Sequence, residues 1–199
     1  NVDFNKDWKF VLKDSAHYSY TSYVPGDEWK KVNLPHDWSV GLPYDSISGE
    51  GCVAFLQGGI GWYSKSFPTT ISANQKCYIV FDGVYNNSEY WINGKKLGYH
   101  LSGYAPFYFD VTDYLNPNED NRMTVRVDHS HYADSRWYTG SGIYRDVKMI
   151  VTDRLHIPVW GTFVTTPVVT DKYAKVNNQI TVRNSYSEPR TAVVEIVYK

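Results

Sequence analysis

The run Asp134-Ser135-Arg136-Trp137-Tyr138 gathers side chains suited to holding a polyol. A carboxylate accepts two hydroxyl hydrogen bonds, a guanidinium presents a fork of donors to a planar oxygen acceptor, and indole and phenol rings offer flat faces for stacking. That chemistry suits a sugar. Gly140 and Gly142 follow and permit a sharp turn before an apolar run begins at Ile143. The competing reading makes Trp137 and Tyr144 core residues beneath a tight corner, and these residues alone leave both readings open. A second polar pair, His36-Asp37, sits between Pro35 and Trp38. For His36, ligand contact competes with the bland reading of a satisfied histidine at a strand end. Asp37 reads first as a cap on turn backbone, and as a sugar contact second.

Other chemistries find less support. The adjacent acids Asp27-Glu28 and Glu119-Asp120 lie in polar, turn-like segments and read as solvated surface. No strand-turn-helix nucleophile motif accompanies the serines. Gly58-Gly59-Ile60-Gly61 is followed by neither a helix nor a phosphate-binding Lys, so it is not a nucleotide loop. His17, His100, His129, His131 and His156 show no spacing that collects three ligands on one metal. Cys52 and Cys77 are too few for a disulfide scaffold and lack a Cys-x-x-Cys spacing; one disulfide between them stays open.

Composition narrows the partners. With 20 Lys+Arg against 21 Asp+Glu, a net charge of -1 and no basic run, neither nucleic acid nor an anionic membrane surface is expected. No apolar run approaches the roughly 20 residues of a membrane span, and no signal-peptide pattern is visible, which leaves the compartment open. Aromatic residues make up 17% of the chain, including 18 Tyr and 7 Trp, more than a core of this size requires. That surplus suits carbohydrate contact. At 199 residues the chain can bury a real core without metal or disulfide.

The elements that must position these residues read as strands. Residues 9–12, 27–34, 62–67, 78–84, 88–92, 96–100 and 107–111 are short apolar or alternating runs bounded by turn signals. Asn93-Gly94 between two of them is a strong hairpin signal. Met123, Val125 and Val127 alternate with Thr124, Arg126 and Asp128, predicting one face inward and one outward. Residues 112–115 read as one helical turn, residues 39–61 as a long irregular connection, and 143–151 as the strand that closes the unit. After about residue 152 the aromatic character gives way to Thr and Val. Residues 153–158 read as a linker, and 161–169, 178–184 and 191–198 as three strands. An immunoglobulin-like sandwich needs about seven strands, so the expectation is a unit cut partway through. The predicted fold is all-β, with a jelly-roll β-sandwich over residues 1–153 and the first strands of an immunoglobulin-like domain over 154–199.

With the strands placed, the sequence resembles the N-terminal sugar-binding domain of family 2 glycoside hydrolases, the β-galactosidase, β-glucuronidase and β-mannosidase group. Four blocks carry the resemblance: Val32-Asn33-Leu34-Pro35-His36-Asp37-Trp38; Gly61-Trp62-Tyr63-Ser64-Lys65-Ser66-Phe67; Phe81-Asp82-Gly83-Val84-Tyr85 through Trp91-Ile92-Asn93-Gly94-Lys95; and residues 134–147, ending Gly142-Ile143-Tyr144-Arg145-Asp146-Val147. Their order and spacing make the match specific, and Asp-Ser-Arg-Trp-Tyr is most similar to the β-galactosidase branch.

The resemblance implies a retaining exo-glycosidase whose two catalytic glutamates lie about 5 Å apart in a downstream (β/α)₈ barrel, so no catalytic residue is expected in this chain. Asp134 and Arg136 are then the candidates for gripping sugar hydroxyls at the barrel mouth, with Trp137 and Tyr138 beside them for stacking, and His36 and Asp37 second. The implied partners are a β-linked galactoside or related glycan and the protein's own barrel. No cofactor is implied for this stretch, while the whole enzyme would use a divalent or monovalent cation in some members. The aromatic surplus fits a freestanding carbohydrate-binding module equally well, and a structural docking domain is a third class.

Overall fold

A computed structural model describes residues 2–47, 49, 51–69, 71–131 and 135–198. Ten strands form the larger unit: β1 (Val2–Asp3), β2 (Trp8–Leu12), β3 (Lys30–Val32), β4 (Gly59–Pro68), β5 (Gln75–Phe81), β6 (Ser88–Ile92), β7 (Lys95–His100), β8 (Phe107–Asp110), β9 (Asp120–His129) and β10 (Val147–Asp153). They make two antiparallel sheets, one in the order β3-β2-β4-β9-β6-β7 and one in the order β1-β10-β5-β8. The all-β jelly-roll sandwich expected from the sequence is what the chain forms. Residues Thr112–Tyr114 make a single 3-10 turn, where one helical turn is predicted.

The core lies between the sheets, and alternation puts it there. Met123, Val125 and Val127 of β9 point inward beside Tyr63 and Phe67 of β4 and Tyr90 and Ile92 of β6. Cys77, Ile79 and Phe81 of β5 meet them from the other sheet. Asn93-Gly94 turns β6 into β7 with φ of 51° and 76°, the positive pair that a tight hairpin demands. The Asn93 side chain also holds the start of β9, accepting from Arg122 N–H at 2.9 Å and donating to Asn121 at 2.7 Å.

The outward face of the six-stranded sheet is only partly wet. Thr124, predicted to point to solvent, is 1% exposed. The reason is a second apolar cluster built on that face by the irregular segment before β3: Tyr18 and Trp29 pack with Val11 and Trp62, flanked by Tyr23 and Trp91. Trp62 and Trp91 stack with ring centroids 5.3 Å apart, and Trp62 donates to Asp14 at 3.1 Å. Arg126 seals the edge by pairing with Asp14, Glu89 and Asp128.

The remaining strands are β11 (Leu155–His156), β12 (Thr162–Val169), β13 (Ala174–Ile180) and β14 (Arg183–Asn184), paired β11 with β14 and β12 with β13. Four differences from the sequence reading follow. The closing strand begins at Val147, because residues 143–146 are held by side-chain and loop contacts instead of a ladder. The strand expected over 178–184 divides into β13 and β14. Residues 191–198 form no strand, since an alternating segment becomes a strand only when an edge pairs with it, and no described residue does. The predicted linker is partly structured: Arg154 donates to Ala73 O at 2.7 Å, and His156 packs under the four-stranded sheet with its Nε2 3.0 Å from Tyr78 Oη.

If the outer cluster carries stability like a true core, Trp29→Ala costs about 3–5 kcal/mol, comparable to the 2–5 kcal/mol expected for the central Ile79→Ala. Urea unfolding of both variants checks this, and a Trp29→Ala cost below about 1 kcal/mol would mark the cluster as a loose cover.

Candidate functional site

Asp134 lies outside the described residues. The rest of the predicted run leaves the sandwich as an exposed rim with a rigid base. Arg136 is exposed and makes no ion pair with a described residue. Trp137 is 62% exposed, and its indole N–H donates to Tyr104 Oη at 3.2 Å. This contact ties the rim to the loop between β7 and β8. Tyr138 is 37% exposed and donates to Asp37 Oδ2 at 2.5 Å. Burial, and then the Asp37 carboxylate, push the Tyr138 phenol well above its ordinary range, so it stays a hydrogen-bond donor at neutral pH.

The two readings left open by the sequence divide between two residues. Trp137 is a surface ring with one anchored edge. Tyr144 is half-buried, its hydroxyl donating to Gly103 O at 2.8 Å, and belongs to the corner.

Asp37 binds the base of the rim to the turn that follows β3. Its Oδ1 accepts from Ser39 N–H at 3.0 Å, the two-residue cap expected of an aspartate here, and from Ser141 N–H at 3.1 Å. Backbone bonds run alongside: His36 N–H to Ile143 O at 2.8 Å and Trp38 N–H to Ser141 O at 3.2 Å. At Gly142, φ is +107° and an added Cβ would meet Tyr63 Oη at 2.2 Å, so only glycine lets the strands close this far.

His36 is half-buried, with Nδ1 2.8 Å from Tyr63 Oη. The Tyr63 hydroxyl also donates to His36 O at 3.4 Å. Burial lowers the His36 pKa, opposed by the Asp37 charge.

No local pattern signals the polar chain beneath the rim. Ser39 Oγ lies 2.6 Å from Ser141 Oγ, which lies 2.7 Å from His129 Nδ1. Its members are more than a dozen positions apart in most pairings, so spacing offers no signal. Both serines are buried, Ser141 completely. With no path for a substrate carbonyl, the Ser141–His129 pair is a tie and not a nucleophile. Among the described residues no group of three or more His, Cys, Asp or Glu is placed to hold a metal. Cys52 and Cys77 are not joined, and burial pushes the Cys77 thiol up to about 12.

Two measurements check this arrangement. Asp37→Ala leaves the Ser141 N–H without its acceptor and should cost about 1–3 kcal/mol in urea unfolding. Asp37→Asn, which keeps an oxygen at that point, should cost less. For His36, the unfolded chain takes up a proton near pH 6.5 while the native state resists it. Stability is therefore fully present above about pH 6.5 and falls as pH drops toward the lowered native pKa. Thermal melts between pH 7.5 and 5 should show a smaller acid-side loss in His36→Asn than in the unsubstituted protein.

Residues 3–153 match the family described as glycosyl hydrolases family 2, sugar binding domain. A β-galactosidase of Bacteroides ovatus is 43% identical over 185 residues, covering 92% of this chain and 22% of that protein. A putative β-glucuronidase of Formosa agariphila is 36% identical over 188 residues, covering 93% of this chain and 18% of that protein. The crystal structure of a β-glycosidase from Bacteroides vulgatus superposes with a TM-score of 0.85 at 39% identity, covering 94% of this chain and 24% of that one. The chain thus spans about a fifth of the length of the curated relatives it matches. On the extent of these matches, and on the sandwich that underlies them, the chain belongs to glycoside hydrolase family 2.

Proposed function

We propose that this chain is the non-catalytic N-terminal part of a retaining exo-glycosidase that acts on terminal β-galactosides. In this reading the sandwich supports a downstream catalytic barrel and its rim orients the substrate. The observation that carries it is the rim itself: the Arg136 guanidinium, with no ion pair to a described residue, and the Trp137 ring, held at its N–H by Tyr104, stand exposed on a base fixed by Asp37, Ser141 and Gly142. An exposed aromatic face beside an exposed guanidinium is a surface that a sugar or a neighbouring domain can cover. The galactoside assignment draws on the β-galactosidase of Bacteroides ovatus and on the Asp-Ser-Arg-Trp-Tyr run.

Residues 154–199 are, in the same proposal, the first strands of an immunoglobulin-like domain. The exposed faces of β12 and β13 support this, since Phe163, Val164 and Val169 of β12 and Val176 of β13 lack cover among the described residues. In this reading the chain requires no cofactor of its own. Asp134 remains a proposed contact on sequence grounds.

A β-glucuronide is the second reading. Arg136 presents an exposed guanidinium, without an ion pair to a described residue, that suits a carboxylate, and a relative at 36% identity is named a putative β-glucuronidase. A freestanding carbohydrate-binding module is the third, and it requires tight sugar binding by this chain alone.

The purified chain should not turn over nitrophenyl β-galactoside, and turnover that survives removal of contaminating enzyme would overturn the non-catalytic role. In the longer enzyme, Trp137→Ala should raise KM for the galactoside about fivefold, the loss of about 1 kcal/mol of stacking. Higher kcat/KM on the glucuronide, lost in Arg136→Ala, would select the second reading.

A further inference from the structure

A groove of about 440 Å³ opens at the corner where β5, β8 and β10 meet, lined by Pro35, Asp82, Pro106, Tyr144, Arg145 and Asp146. It shares a wall with the rim, because the loop from 101 to 106 carries both Tyr104, which holds Trp137, and Pro106. Its polar groups are half spent. Asp82 uses Oδ2 on Lys148 at 2.7 Å, and Asp146 uses Oδ1 on Asn5 at 3.1 Å. Their other oxygens meet no donor among the described residues. Arg145 makes no ion pair or hydrogen bond with its side chain among the described residues, and its guanidinium carbon lies 5.2 Å from the centroid of the Tyr144 ring. Gly83 makes the arrangement possible: an added Cβ would lie 2.9 Å from Arg145 Cδ and 3.1 Å from Tyr144 Oη.

The charge balance selects among ligands. Asp82 and Asp146 are offset by Lys148 and Arg145, which gives a neutral site. A phosphate would find two carboxylates beside its cations, and a metal cation would find two cations beside its carboxylates. A hydroxyl-rich, uncharged ligand suits every group: two free carboxylate oxygens accept from hydroxyls, the guanidinium donates to ring or glycosidic oxygens, and Tyr144 with two prolines supplies an apolar wall.

We infer that this groove is a subsite for a neutral sugar unit, separate from the Trp137 rim and sharing the 101–106 loop with it. The inference rests on the reading of the chain as part of a glycan-processing protein, but on different residues. A glycan reaching the rim would then have a second hold on the same sandwich.

The test is a titration of this chain with galactose and with lactose, followed by ¹H–¹⁵N spectra. Saturable shifts are expected at the amides of Gly83, Tyr144, Arg145 and Asp146 with millimolar midpoints, weakened about fivefold or more in Arg145→Ala and in Tyr144→Phe,Arg145→Ala. Arg145 is exposed, so its loss leaves the fold intact, which the same spectra verify. Shifts confined to residues 135–138 would overturn the groove and leave the rim proposal standing. Absence of shifts at the groove with either sugar, or equal affinity in Arg145→Ala, would likewise overturn it, and would point to a surface that meets another part of the protein.

Discussion

The carboxylate of Asp37 joins segments a hundred positions apart, and the candidate site has no other shape without it. One oxygen takes two backbone N–H groups, from its own turn and from Ser141, and the other takes the Tyr138 phenol. A charged acceptor facing backbone donors makes a stronger bond than a neutral one, so the loop's floor is fixed while its outer ring and guanidinium stay open. Gly142 lets the floor press against Tyr63, and the Tyr63 hydroxyl in turn meets His36 Nδ1 at 2.8 Å. Rigidity below and exposure above is the arrangement that lets a binding surface lose little entropy when it meets a ligand.

The six-stranded sheet provides the frame for this, and it is buttressed from both sides. Its inner face meets β5 and β10 through a continuous apolar core. Its outer face carries a tryptophan-rich cover made by a segment with almost no regular structure. Central strands β4 and β9 are covered on both faces; β9 ends, and the antiparallel β4 begins, at the end where His129 and the rim lie.

Much of the frame was legible because period-two alternation and Asn-Gly turns are local signals. β9 announces its inner face through Met123, Val125 and Val127, and β6 to β7 announces its hairpin. The outer cluster was not legible, since Tyr18, Trp29 and Trp62 share no period and meet only through the path of an irregular chain. Residues 191–198 show the converse: the alternation is present, yet pairing depends on an edge that no local pattern can supply. At the site, residue types pointed to Arg136, Trp137 and Tyr138, and local turn chemistry to the Asp37 cap on Ser39. The bond from Asp37 to Ser141, and the chain through Ser39 and His129, depend on contacts distant in sequence and were invisible there.

The packing of His156 against Tyr78, and of Trp160 edge-on to Tyr108 at 5.2 Å, bears on where the sandwich ends. The family match stops at residue 153, yet β5 is buried on both faces, and its outward Tyr78 is covered by residues beyond that limit. The chain after β10 thus serves as the lid of the preceding sheet before it serves as anything else. A sandwich trimmed to its sequence-family boundary would lose the His156 contact that covers Tyr78.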